Sequence, residues 1–457
     1  MAQKGERFAS GFGFVLATIG SAVGLGSIWK FPYEVGENGG GGFLLFYVLG
    51  LALVVFPLLL AEFVIGRRGR GDAAESLRHV AHEAHRSAAW RLIGFLGIAG
   101  GFLILTYYAV IAGMTMAYVP HALTAGFAGA DQARSAADFD ALAASPLHLG
   151  FWQAAFLAVT VAVVARGIRK GVETACTILM PLLAVLMAAL VLYGLIEGDV
   201  AAALAFLFQP HWEAISPRAA LDALGLGFFS IGVGMGVMIT YAAYAGETFD
   251  LTRAAVATLA GDTAISLMAG FAIFPIVFAE GLDPAGGANL MFLTLPIAFG
   301  ALPFGDLVGA AFFLLLFVAA LASAISLVEV AAAPLMRATG ISRPKAALLI
   351  GIAAWIGGLP AMLSFNLWSE VRPLAWLGGF GHLNLFDAVD GFTSNLLLPV
   401  CGLALSIFAG WMMPERMYEA ELGRATRRLD LALRFLLRWV VPAVILAYVA
   451  AAQVARV

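Results

Sequence analysis

The chain has 457 residues, 62% of them hydrophobic and only 12% charged, with a mean hydropathy of +0.93 and a net charge of −3. A soluble domain carries about 25% charged residues, so the composition excludes a soluble globular protein, and the balance of charge excludes a nucleic-acid partner. The two cysteines, Cys176 and Cys401, both fall in apolar segments, which argues against a disulfide framework. Eleven apolar segments follow in order, near 8–31, 43–66, 91–120, 150–166, 171–195, 221–243, 253–280, 301–337, 345–363, 384–413 and 430–454. About 20 apolar residues in a helix cross the hydrocarbon of a bilayer, so an all-α polytopic membrane protein is expected. The first segment is full length and lacks a small-residue cleavage site, so it reads as a span and not as a signal peptide.

Span one, FASGFGFVLATIGSAVGLGSIWKFPYEVG, has an unusual middle, with Gly20, Gly24 and Gly26 interleaved with Ser21 and Ser27. Glycine costs about 1 kcal/mol in a helix interior, so the span is expected to unwind here. Small residues also permit close helix packing, and span one taken alone favours that reading; a second copy of the pattern reverses it. A second glycine run, Gly225 to Gly236, lies in span six. Unwound backbone in a membrane is tolerated only where it lines a protein cavity or binds something.

Between the spans the sequence says less. Residues 67–90 carry His79, His82 and His85 at helical spacing beside Glu83, which reads as a solvated amphipathic helix or, less simply, a metal site. The run Asn38 to Gly42 is a turn, lacking the Lys-Ser/Thr of a phosphate loop. Residues 121–149 form an Ala-rich loop with no evident structure, and 283–300 are apolar enough for a re-entrant hairpin. If the N-terminus is cytoplasmic, all but five of the 26 Lys and Arg residues fall inside, the exceptions being Lys30, Arg134, Arg218, Arg372 and Arg456. The positive-inside rule therefore places the N-terminus in the cytoplasm and, after eleven spans, the C-terminus outside.

The broken segments lie five spans apart, so the second set of five starts in the opposite orientation. Paired broken helices in two inverted halves point to a secondary transporter with a midplane site. Half-helix N-termini there attract an anion and freed carbonyls a cation, which a zwitterion with sodium satisfies together.

The strings GSAVGLGSIWKFPYEVGENGGGGF, LAEFVIGR and SIGVGMGVMITYAAY resemble the neurotransmitter:sodium symporter family, in particular its bacterial eleven-span amino-acid transporters. The resemblance covers nearly the whole chain. It implies a LeuT-type fold: an inverted five-plus-five helix repeat with broken first and sixth spans, plus an eleventh span. Residues 8–195 and 221–413 would be the repeats and 430–454 the additional span. It further implies a plasma (inner) membrane transporter, not an enzyme, that imports its substrate with sodium by alternating access.

Carried over by position, the resemblance places the substrate carboxylate at the backbone N–H groups of Leu25 and Gly26 and the hydroxyl of Tyr108. The amino group would meet the carbonyls of Phe229 and Ser230 and the region of Ser21 and Ala22, with Phe229 as an aromatic lid. Ala22, Ser27, Ser230 and Asp262 match a first sodium site; Gly20, Val23, Ala319, Ala322 and Ser323 match a second. Three departures matter. Ser27 replaces a usual Asn, Asp262 stands where Asn is common, and Ala322 removes one hydroxyl of a Thr-Ser pair. Asp262 could supply the negative charge that chloride supplies in animal members, so chloride is not expected as a cofactor. The second sodium site is expected to be weaker, with partial proton coupling as the rival. Lys30 and Asp390 match an outer charged gate, although Lys30 read alone is equally a snorkelling lysine. Gly171 and Pro181 match an inner helix that unwinds. Phe8 stands at a latch position often filled by Trp, and Glu62 and Glu329 are candidate polar anchors.

Ile104, Tyr108, Phe229, Gly232, Met235, Ser323 and Leu327 would line the pocket. Beyond the zwitterion anchor this lining is apolar, which disfavours charged side chains. A hydrophobic L-amino acid, large aliphatic or aromatic such as tryptophan, phenylalanine or leucine, is expected ahead of glycine or GABA. A channel and a substrate sensor are the competing classes. The sequence leaves the oligomeric state open.

Overall fold

The computed structural model describes residues 6–209, 216–284, 290–377, 379–422 and 427–454. Lys4, Arg424 and Arg456 of the charge pattern lie outside these residues, as do residues 285–289 of the expected hairpin. Among the described residues the chain is helical, with no β-strand. Among the described residues, nine continuous apolar helices are long enough to cross a membrane: Gly41–Gly69, Ala88–Thr124, Pro146–Val164, Ile168–Glu197, Leu251–Ala279, Gly305–Thr339, Arg343–Leu363, Leu385–Met412 and Leu431–Ala451. They are spans two to five and seven to eleven.

The segments expected as spans one and six are both broken; the two halves of span one are together long and apolar enough for a tenth crossing. Span one runs Gly11–Ala22, then resumes at Gly26–Glu37 after a 53° bend. Span six runs Pro217–Ile231 and Val237–Ala243, with residues 232–236 unwound between them. The two breaks have different physical causes. In span six, Gly232, Gly234 and Gly236 all take positive φ, from +73° to +88°, which only glycine adopts without strain. In span one none of the glycines does; Val23 is extended (φ −73°, ψ 100°) and ends the first half. The span-one glycines serve close approach. A Cβ on Gly24 would lie 2.5 Å from the Ser323 hydroxyl oxygen, and one on Gly26 3.1 Å from the Phe229 ring. Gly225 and Gly227 stay helical, packed on Tyr448 and on Leu51 and Val55.

The long span eight is buried over most of its length, and span three is its largest packing partner. Both broken spans pack on span eight. Two expectations for the loops change. Residues 121–149 contain a helix, Gln132–Ala143, started by the Asp131 side chain accepting from the Arg134 N–H. Its Ser135 donates to the Leu293 carbonyl, and a short helix, Thr294–Ala301, packs against it. The histidine-bearing segment does form an amphipathic helix, Ala73–Glu83, and the described residues hold no cluster of three or more metal-ligating side chains.

Candidate functional site

The break in span one frees backbone groups, and the structure shows where they go. The Leu25 N–H donates to the Tyr108 hydroxyl at 3.3 Å. The Ser323 hydroxyl faces the carbonyls of Gly20, Ser21 and Val23 at 3.2–3.4 Å. Ser21 donates to the Ser326 hydroxyl at 2.8 Å, so span eight holds the broken helix through two serines one turn apart. Unpaired backbone in a membrane costs several kcal/mol per group, and these hydroxyls reduce that cost while leaving oxygens beside an open space.

That space is a cavity lined by all twelve residues expected to meet substrate: Ser21, Ala22, Leu25, Gly26, Ile104, Tyr108, Phe229, Ser230, Gly232, Met235, Ser323 and Leu327. Sequence reasoning missed Gly24, Val237 and Ser326, which also line it. The polar groups gather on the side of span one, and the rest is Ile104, Phe229, Met235, Val237 and Leu327.

The first sodium set is brought together around a fully buried carboxylate. Asp262 Oδ1 accepts from Ser27 at 2.5 Å and from Ser230 at 2.8 Å, and Oδ2 accepts from Tyr47 at 3.0 Å. Ser27 also lies 3.5 Å from the Ala22 carbonyl. Tyr47 in span two was not anticipated, since an apolar run around a lone tyrosine carries no signal for it. In the second set, Ser323 meets the Gly20 and Val23 carbonyls, and a Cβ on Gly20 would touch the Ala322 methyl at 3.5 Å. Ala319 is buried one turn earlier on the same helix.

Toward the second half of span one, Phe229 lies between the cavity and a vestibule that Lys30 and Asp390 share. The two do not form an ion pair within 4.0 Å. Lys30 Nζ sits 4.8 Å from the Phe229 ring centre, and Asp390 instead accepts from Tyr107 at 2.9 Å and Ser394 at 3.0 Å. Below, Gly171 lies in a wide helical turn, Ile168–Glu173, where a Cβ would lie 2.2 Å from the Val163 carbonyl oxygen; Pro181 is exposed on the following helix. Phe8 packs edge-on against Phe14 and Tyr241.

Sequence reasoning also missed Glu173. Its carboxylate accepts from the N–H groups of Ala9 (2.7 Å) and Ser10 (3.2 Å), tying the start of span one to the turn that holds Gly171. Gly13 makes room, since a Cβ there would lie 2.0 Å from a Glu173 oxygen. Glu62 Oε1 accepts from the Gly234 N–H at 2.6 Å, and Glu329 takes the Tyr244 hydroxyl and pairs with Arg343, so both act as anchors.

The model of the sodium:neurotransmitter symporter family matches residues 5–137 and 147–451. The chain belongs to this family. An uncharacterised sodium-dependent transporter of Bacillus subtilis is 37% identical over 97% of both chains. Another, of Haemophilus influenzae, is 31% identical over 96% of both. Among solved structures, MhsT in complex with L-phenylalanine aligns with a TM-score of 0.90 at 41% identity, over 98% of this chain and 99% of that one. The symporter is thus a multi-pass, sodium-dependent transporter with the fold expected from its paired broken helices, and not an enzyme.

Proposed function

We propose that the symporter imports a large hydrophobic L-amino acid together with sodium, by alternating access in the plasma membrane, its N-terminus cytoplasmic and its C-terminus outside. The observation that carries this reading is the division of the cavity. Hydroxyls and freed backbone of span one lie on one side, where a zwitterion's charges need partners, and apolar side chains fill the rest. A polar substrate side chain would lose its hydration there without compensation. MhsT, with phenylalanine bound, supports the same class. Residues 8–195 and 221–413 are proposed as the two inverted repeats that move against each other about the two breaks. Uptake of the twenty amino acids into proteoliposomes tests this. Phenylalanine, tryptophan and leucine should lead, and only with sodium; preference for glycine or a charged amino acid would refute it.

Two sodium sites support the coupling. The first is proposed at Ala22, Ser27, Ser230 and Asp262, where one carboxylate and hydroxyl oxygens suit a hard cation. It carries its own negative charge, so chloride is not required. The second, at Gly20, Val23, Ala319, Ala322 and Ser323, has one hydroxyl where two would serve better. Ala322→Thr adds an oxygen facing Gly20, and sodium titration of substrate binding should show a several-fold higher apparent affinity. An unchanged or lower affinity would mean that position 322 does not face the ion.

A further inference from the structure

Spans four and nine run in opposite directions, and between them lies an apolar groove of about 480 Å³ on the surface of the helix bundle. One wall is Ala154, Ala158 and Ala162, spaced one turn apart and all exposed. The other is Leu348 and Ile352, 53% and 46% exposed. The floor is where the helices touch, since a Cβ on Gly351 would lie 2.5 Å from the Val161 side chain. The far end is fixed by Trp355, whose indole N–H donates to the Gly150 carbonyl at 3.1 Å. The alanines leave a channel where larger side chains would have filled the crevice.

The near end is cationic. Lys345 precedes Leu348 by three residues on the same helix, about 4.5 Å along its axis, and Arg166 stands in the turn two residues past the end of the span-four helix at Val164. Arg169 and Lys170 follow in the same segment, and all four are exposed. Among the described residues none of the four forms an ion pair. Glu6, which lies near Gly167, is taken by Arg343, which also pairs with Glu329. The position thus joins an apolar trough to cations that lack a counter-charge.

We propose that this groove binds one acyl chain of an anionic phospholipid, its phosphate held between Arg166 and Lys345. Basic pockets between membrane helices recognise such headgroups. A second copy of the chain fits less well, because a two-fold contact along this face would set the same cations against each other. The site is separate from the central cavity, so its test does not depend on the substrate.

Native mass spectrometry of the full-length protein, released from micelles holding equimolar phosphatidylglycerol and phosphatidylcholine of matched chains, decides the matter. The wild type should retain one phosphatidylglycerol in preference to phosphatidylcholine. Ala158→Phe, a change at an exposed position, should fill the groove and reduce that retention about tenfold. Arg166→Gln and Lys345→Gln should each weaken the preference about fivefold, matching roughly 1 kcal/mol per cation near a membrane surface. Equal retention of both lipids by the wild type, or undiminished phosphatidylglycerol on Ala158→Phe, overturns the proposal. So does a wild-type dimer that Ala158→Phe dissociates, which would assign the groove to a second copy.

Discussion

Asp262→Asn is expected to lower sodium affinity by at least two orders of magnitude in chloride-free buffer. The carboxylate is fully buried, and three hydroxyls, those of Ser27, Ser230 and Tyr47, point at it. Hydroxyl dipoles alone do not replace its charge. Two unit charges about 4 Å apart interact by about 4 kcal/mol at an effective dielectric of 20, and an amide forfeits that attraction for an ion drawn from water. The substitution keeps shape and volume, so the protein should still purify as a folded species. Adding chloride to the variant should recover part of the affinity, because a small anion can lodge near the same hydroxyls. Wild-type uptake should be indifferent to replacing chloride with gluconate. Loss of wild-type uptake in gluconate would show that Asp262 does not stand in for the anion.

Gly232→Ser is expected to weaken every substrate but to weaken tryptophan most. Two effects are superposed here. Gly232 has φ +73° and ends the first half of span six, so any side chain carries a left-handed backbone cost of about 1 kcal/mol, which the turn relieves by shifting and so reshapes the cavity for every substrate. Alanine, which does not reach that part of the cavity, should lose only this, about fivefold. The second effect is volume. A Cβ at 232 would already contact the Met235 sulfur at 3.4 Å, so the serine hydroxyl crowds the same end of the cavity. Overpacking costs roughly 1–3 kcal/mol, and only a large side chain meets it. Tryptophan should therefore lose about thirtyfold to a thousandfold. Competition binding of tryptophan, leucine and alanine gives the ratio; equal losses would mean that Gly232 serves the backbone turn alone.

The parts of this molecule that the sequence reveals are those written as periodic or local patterns. Span positions follow from hydropathy, and the paired breaks follow from glycine runs five spans apart. The register then delivers the twelve cavity residues and the Ser27–Ser230–Asp262 cluster. What it hides depends on side chains meeting across distant segments. Tyr47 reaches Asp262 from span two, Ser326 reaches Ser21 from span eight, and Glu173 caps span one from 163 or 164 residues away. None of these pairings leaves a local signature. Glycine plays two parts here: in span six its role is conformational, whereas in span one the same residue type marks contacts with Ser323 and Phe229. The outer pair depends on geometry of the same long-range kind. Lys30 and Asp390 share the vestibule, but the Phe229 ring and the Tyr107 hydroxyl take up the two charges separately.

The most direct test of coupled transport is accumulation of labelled L-phenylalanine in proteoliposomes under an imposed inward sodium gradient. Internal label should rise above the external concentration, collapse when a sodium ionophore is added, and exchange with unlabelled leucine inside. Label that only equilibrates, or that accumulates equally with potassium in place of sodium, would contradict a sodium-coupled symporter for hydrophobic amino acids.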